Sequence, residues 1–167
     1  MTVLTTEHLI LAPLSHALIE KRLASGDFRF DVADVGTVKF SSTWPGDALG
    51  MFAELLANPI DPVPDSYAAI ERASLVAVGM LGTTSEVDEN GAIEIGYGFE
   101  ATGRGFATEG VEALVTHLLS SASIVAITAN TAVDNIASQR VLQKNGFRQT
   151  GTTSSEADGD LLVWTHD

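Results

Sequence analysis

The chemistry in this chain is concentrated in Thr102-Gly103-Arg104-Gly105-Phe106-Ala107-Thr108-Glu109, where two glycines flank an arginine at the start of an apolar-periodic segment. The first amides of a helix have no partners within it, and the helix dipole places partial positive charge at that end. Glycine lets those amides approach a phosphate with no Cβ in the way. A strand, Ile93-Glu94-Ile95-Gly96-Tyr97-Gly98-Phe99, runs into this turn. Three readings compete. The turn is a tight strand-to-helix connection, a dinucleotide-binding loop, or a coenzyme A pyrophosphate loop. The dinucleotide loop fits poorly: it needs a third glycine where Thr108 stands and an acidic residue at the end of the next strand, where Asn130 stands. The coenzyme A loop needs support from elsewhere in the chain.

That support lies in Asn135-Ile136-Ala137-Ser138-Gln139-Arg140-Val141-Leu142-Gln143-Lys144-Asn145-Gly146-Phe147. Asp134 or Asn135 can N-cap a short helix, Asn145-Gly146 suits its C-terminal cap, and Ala137, Val141 and Leu142 fall on one face. Taken together and in this order, the two motifs resemble the GNAT superfamily of acyl-CoA-dependent N-acyltransferases. The match is nearest to its RimJ/RimL-like branch, whose pattern reads I-G-Y, G-K/R-G-Y/F-A-T-E, then N-x-x-S-x-x-V-L-x-K-x-G-F. The opening Thr6-Glu7-His8-Leu9-Ile10-Leu11-Ala12-Pro13-Leu14 is similar to that branch as well. Resemblance is strong over 91–150 and weak between 27 and 66.

The resemblance implies acetyl-CoA as co-substrate, with direct acetyl transfer to a primary amine in a ternary complex. Pantetheine would pair with the backbone around Gly98 and Phe99. The pyrophosphate would rest on the amides of Gly103, Arg104, Gly105, Phe106, Ala107 and Thr108, with Arg104 adding charge. The family's Q/R-x-x-G-x-G/A signature begins here with Thr102, which removes a long polar side chain from the loop. Asn135 would bond the pantetheine amides, with N-capping as the competing account. Asn130 would contact cofactor or acceptor.

Free amines with a pKa near ~10 are mostly protonated at neutral pH, so the acceptor must lose a proton before attack. Glu94 is the candidate base, and a solvent-facing strand residue is the bland alternative, since Ile93 and Ile95 alternate with it. The tyrosine that many members use as acid is replaced by Leu142. Ser138 fits the branch pattern and can donate to the sulfur, or else bonds its own helix backbone. Glu109 and Glu112 read as solvated helix residues, Glu109 suiting the first turn electrostatically.

These groups require a scaffold of strands at 8–13, 67–72, 75–82, 91–99, 124–129, 147–152 and 161–166. Helices are expected at 15–25, 46–57, from Arg104 to Ser120, and over the capped segment. Ala107, Val111, Leu114, Val115, Leu118 and Leu119 line one face of the third. This is an α+β (mixed α/β) pattern. The resemblance implies a GNAT-like fold: one domain over 1–167, whose mostly antiparallel sheet of about seven strands splays between 91–99 and 124–129 and is flanked by about four helices.

Composition excludes several classes. The chain has 167 residues, 45% of them apolar, enough for a real core, and no cysteine, hence no disulfide, thiolate metal site or cysteine nucleophile. His8, His16, His117 and His166 lack metal-ligand spacing, so no metal is expected. Neither a signal segment nor a membrane-length apolar run is present, and cytoplasm is the expected location. Net charge is −13, which argues against nucleic acid and membrane partners. Residues 91–150 carry four basic and five acidic groups, leaving −12 for the remainder. The acceptor is a small-molecule or peptide amine; Phe28, Phe30, Phe40 and Trp44 with Asp31, Asp34, Asp61 and Asp65 are expected to form an apolar cleft with acidic guidance. A homodimer is left open. The alternative function is a non-catalytic acyl-CoA-binding or interaction domain.

Overall fold

The computed structural model describes residues 2–100 and 103–167. The chain forms two compact units, residues 1–82 with 97–110 and residues 83–96 with 111–167.

In the first unit, β1 (Leu4–Thr5), β2 (Leu9–Pro13), β5 (Ser66–Glu71) and β6 (Val76–Thr83) pair successively and antiparallel. Helix α1 (His16–Ala24) is capped by the Ser15 hydroxyl, which accepts from the Leu18 amide. The expected helix at 46–57 is a 3-10 turn, Gly46–Met51, leading into the short α2, Phe52–Ala57. Residues 27–45, given no elements from the sequence, contain a hairpin of β3 (Phe28–Val32) and β4 (Gly36–Phe40). Phe28 and Phe40 face each other across it with rings stacked at 4.9 Å.

This hairpin overturns the expected aromatic cleft. Phe28, Phe40 and Trp44 are buried in a core that includes Leu18, Ile19, Phe52, Ala68 and Ile70. Apolar alternation along β3 and β4 turns the rings inward, because a half-buried strand places every second side chain in the core. The acidic residues of the same segments serve local geometry. Asp34 takes a positive φ of 63° in the hairpin turn, Asp31 accepts from Thr37, and Asp61 accepts from the His16 amide at 2.9 Å.

In the second unit, β8 (Ala126–Ala132), β10 (Gly159–His166) and β9 (Arg148–Ser155) form an antiparallel set. Strand β7 (Ala92–Phe99) begins in this unit and pairs parallel with β8 from Ala92↔Ala126 to Ile95↔Ala129. The ladder stops there although both strands continue.

Helix α3 runs Phe106–Leu119, burying Phe106, Val111, Leu114, Val115 and Leu118. Leu119, expected on that face, is exposed. Helix α4 (Ile136–Lys144) buries Leu142 alone; Ala137, expected on its apolar face, is exposed and Val141 half-buried. The α+β class holds, with ten strands rather than about seven; the additions are β1 and the β3–β4 hairpin.

Candidate active site

Strand β7 alternates as required to present functional groups on one side. Ile93 and Ile95 are buried, while Glu94 is half-buried and Gly98 exposed. Both Glu94 carboxylate oxygens are engaged: Thr84 Oγ1 donates to Oε1 at 2.7 Å and Asn130 Nδ2 donates to Oε2 at 3.2 Å. The Glu94 amide donates to Ser85 Oγ at 3.0 Å, and its carbonyl accepts from the Thr84 amide at 2.8 Å. Glu94 and Asn130, read separately from the sequence, thus meet.

Thr84 and Ser85 carried no functional reading from the sequence, because they lie in the polar stretch between the strands expected at 75–82 and 91–99. The turn's register was the signal that could have found them. Asp88 accepts from the amides of Gly91 and Ala92, and antiparallel return from such a turn sets Thr84 opposite Glu94.

At its other end β7 lies close against β6. A Cβ on Gly79 would stand 2.5 Å from the Gly98 carbonyl oxygen and 2.7 Å from Phe99 Cδ1, so only glycine fits. Trp44 Nε1 donates to the Gly79 carbonyl at 2.9 Å. Between β5 and β6 the register jumps from Ala69↔Gly79 to Ile70↔Ala77, leaving Val78 as a bulge whose carbonyl accepts from the Glu100 amide at 2.8 Å. These contacts hold Gly98 at the strand surface, and nothing lies within 4 Å of where its Cβ would be.

The glycine turn has the geometry its composition suggests. Gly103 and Gly105 both adopt φ of +77°, a region L side chains avoid, and no atom lies within 4 Å of either would-be Cβ. Gly105 accepts from the Glu109 amide at 3.1 Å, so α3 is engaged from its first turn. The arrangement is an open cradle with helix-start amides beneath it, and its donor set fits the phosphates of coenzyme A. Thr102, where the sequence departs from the family signature, lies outside the described residues. Arg104 pairs with Glu71 and lies over the Phe106 ring, 4.5 Å from its centroid. Ser74 and then Arg104 donate to the Glu71 carboxylate and hold it below the usual glutamate range.

Glu109 is not the solvated residue the sequence suggested. It accepts from the Thr6 hydroxyl, from the His8 amide at 2.7 Å, and faces His8 Nδ1 at 3.0 Å. Partial burial pushes its carboxyl up, but the bonds from Thr6 and His8 outweigh this and leave it below the usual range.

On α4, the Asn135 side chain accepts from the Ser138 amide at 3.1 Å, the capping role weighed against ligand binding. Ser138 is half-buried at the first turn. Leu142, where many family members carry tyrosine, is fully buried, and the Phe147 amide bonds its carbonyl at 3.0 Å. That position therefore serves packing. Gly146 takes φ of +80° and closes the helix.

Comparison with known proteins agrees with this geometry. The model of the acetyltransferase (GNAT) domain matches residues 27–148. An uncharacterized N-acetyltransferase of Bacillus subtilis, YjdG, is 30% identical over 154 residues, covering 88% of this chain and 90% of that protein. A GNAT-family acetyltransferase from Bacillus anthracis superposes with a TM-score of 0.68 at 17% identity, over 99% of this chain and 98% of that one. RimL, the ribosomal L7/L12 alpha-N-protein acetyltransferase in complex with coenzyme A, superposes with a TM-score of 0.66 at 18% identity, over 99% and 97% of the two chains. A family match across both motifs, a relative that spans most of the chain and the shared fold give one conclusion: this chain belongs to the GNAT family and is an N-acetyltransferase.

Proposed function

We propose that the enzyme transfers an acetyl group from acetyl-CoA directly to a primary amine, both substrates being bound together. The observation that carries this reading is the Gly103–Gly105 turn, whose two positive-φ glycines lead into α3 and, among the described residues beyond their chain neighbours, have no atom within 4 Å of either would-be Cβ. Acetyl-CoA supplies the acetyl group as a thioester. The helix-start amides from Gly103 to Thr108 take phosphate oxygens, and Arg104 adds positive charge. The outward backbone of Gly98 and Phe99 aligns the pantetheine as a strand would, with Asn135 beside its amides.

Glu94 takes the proton that converts the acceptor from ammonium to free amine. The nitrogen then forms its bond to the acetyl carbon, the carbon–sulfur bond breaks, and the electron pair leaves on sulfur. Ser138 donates a hydrogen bond to that sulfur, and the second proton lost from nitrogen completes the thiol. The two donors on the Glu94 carboxylate favour this reading over a non-catalytic acyl-CoA-binding domain, which needs no oriented carboxylate.

The shared fold with RimL, an acetyltransferase of a ribosomal protein, is consistent with the RimJ/RimL-like branch, and the acceptor in this reading is an amine carried on a small molecule or peptide. The acidic balance outside residues 91–150 favours a cationic acceptor, and a cytoplasmic location suits the absence of cysteine.

Calorimetric titration with acetyl-CoA tests the cofactor assignment. Wild type is expected to bind at micromolar Kd, and Gly105→Glu to lose binding. Gly105→Ala, a smaller intrusion at the same strained φ, is expected to weaken binding while near-UV circular dichroism stays native. A well-folded wild type that fails to bind acetyl-CoA overturns the assignment.

A further inference from the structure

We propose that Thr84 and Asn130 are positioning residues that aim the Glu94 carboxylate, an inference that rests on reading Glu94 as the base. A glutamate on an open strand face has three freely rotating side-chain bonds, and an aligned base cannot keep that freedom. Here the two oxygens are held separately. Thr84, immediately after β6, donates to Oε1 at 2.7 Å, and Asn130 on β8 donates to Oε2 at 3.2 Å. The main chain of Glu94 is fixed as well, through Ser85 Oγ and the Thr84 amide.

The position of Asn130 follows from the topology. It is the first β8 residue beyond the last β7–β8 pair, Ile95↔Ala129, so its side chain reaches sideways where the ladder has ended. Its neighbour Thr131 turns the other way, is buried, and accepts from Trp164 Nε1 at 2.9 Å. Each carboxylate oxygen offers two lone-pair directions, and one donor apiece leaves room to accept a proton. A glutamate serving only strand solubility requires neither donor.

The test uses the full chain, which has no cysteine, so thiol-reactive dye reports released coenzyme A without background from the protein. Spermidine, kanamycin and peptides beginning with serine or alanine serve as amine probes. Thr84→Val and Asn130→Ala are each expected to lower kcat about tenfold. The KM for acetyl-CoA is expected to stay within about twofold, since neither residue touches the phosphates. Thr84→Ser keeps the hydroxyl and is expected to retain near-wild-type kcat. The double variant is expected to approach Glu94→Gln rather than multiply the single losses, because all three changes act on one group.

Unchanged kcat in both single variants, with Glu94→Gln inactive, overturns the positioning roles and leaves the base standing. Wild-type turnover by Glu94→Gln overturns the base itself. A second readout needs no acceptor. The Asn130 side-chain amide resonances in a nitrogen-15 spectrum are expected to shift with pH in the wild type and to lose that response in Glu94→Gln. A response that persists in Glu94→Gln, or none in the wild type, overturns the Asn130–Glu94 link.

Discussion

Glu109 draws three donors from a segment about a hundred residues earlier, and its ionisation is therefore coupled to folding. Its native pKa lies below the ordinary value, so the unfolded chain binds its proton more readily. The stabilisation is complete above the unfolded value near ~4.3 and is lost as pH falls through the lower native value. Glu109→Gln is expected to cost about 1–2 kcal/mol at pH 6 and less as pH falls through the acid range, measured by urea unfolding at a series of pH values. An equal cost throughout would mean that the bonds are insensitive to charge. The same contacts explain why this residue was misread. Helical periodicity marks 109 as a first-turn acid, which is correct, but no local pattern announces Thr6 and His8. Arg22 is similar: the sequence offers a basic residue near a helix end, and the fold buries it to donate to the carbonyls of Ser25, Ser42 and Trp44.

Elements whose identity rests on short-range rules were legible. Strand β7 alternates, α3 follows a glycine turn with a helical apolar period, and α4 carries both caps within its own sequence. The β3–β4 hairpin was not, because its alternating aromatics were read as the lining of a cleft. Only the partners across the hairpin and in the core reveal their destination. Close approach between strands was invisible for the same reason, and Gly79 is its clearest case. Adding a methyl there sets a Cβ 2.5 Å from a backbone oxygen, where no rotamer can relieve the overlap. Gly79→Ala is expected to destabilise the fold by about 1–3 kcal/mol and to weaken acetyl-CoA binding by displacing Gly98. Thermal unfolding and calorimetry read the two effects separately, and a variant with native stability and affinity would show that β6 and β7 are not in close contact.

For the whole molecule the decisive quantity is charge. The chain carries −13, of which only −1 falls within residues 91–150. Acetyl-CoA, itself strongly anionic, must approach against the long-range field of the remainder while meeting a nearly neutral segment at its destination. Two salt effects then oppose each other. Added salt screens the repulsion, which acts over tens of ångströms, and also weakens the short-range attraction proposed at the helix start and Arg104. The Debye length shrinks from ~30 Å at 0.01 M to ~8 Å at 0.15 M, so the long-range part is removed first. The association rate of acetyl-CoA is therefore expected to rise by about threefold or more across that range, with the dissociation rate rising less. A cationic acceptor such as spermidine should show the opposite trend, associating more slowly as salt increases. Stopped-flow measurement on both ligands separates the contributions. If both associate more slowly with salt, the local positive end of α3 outweighs the net charge of the molecule, and the acidic surface serves solubility alone.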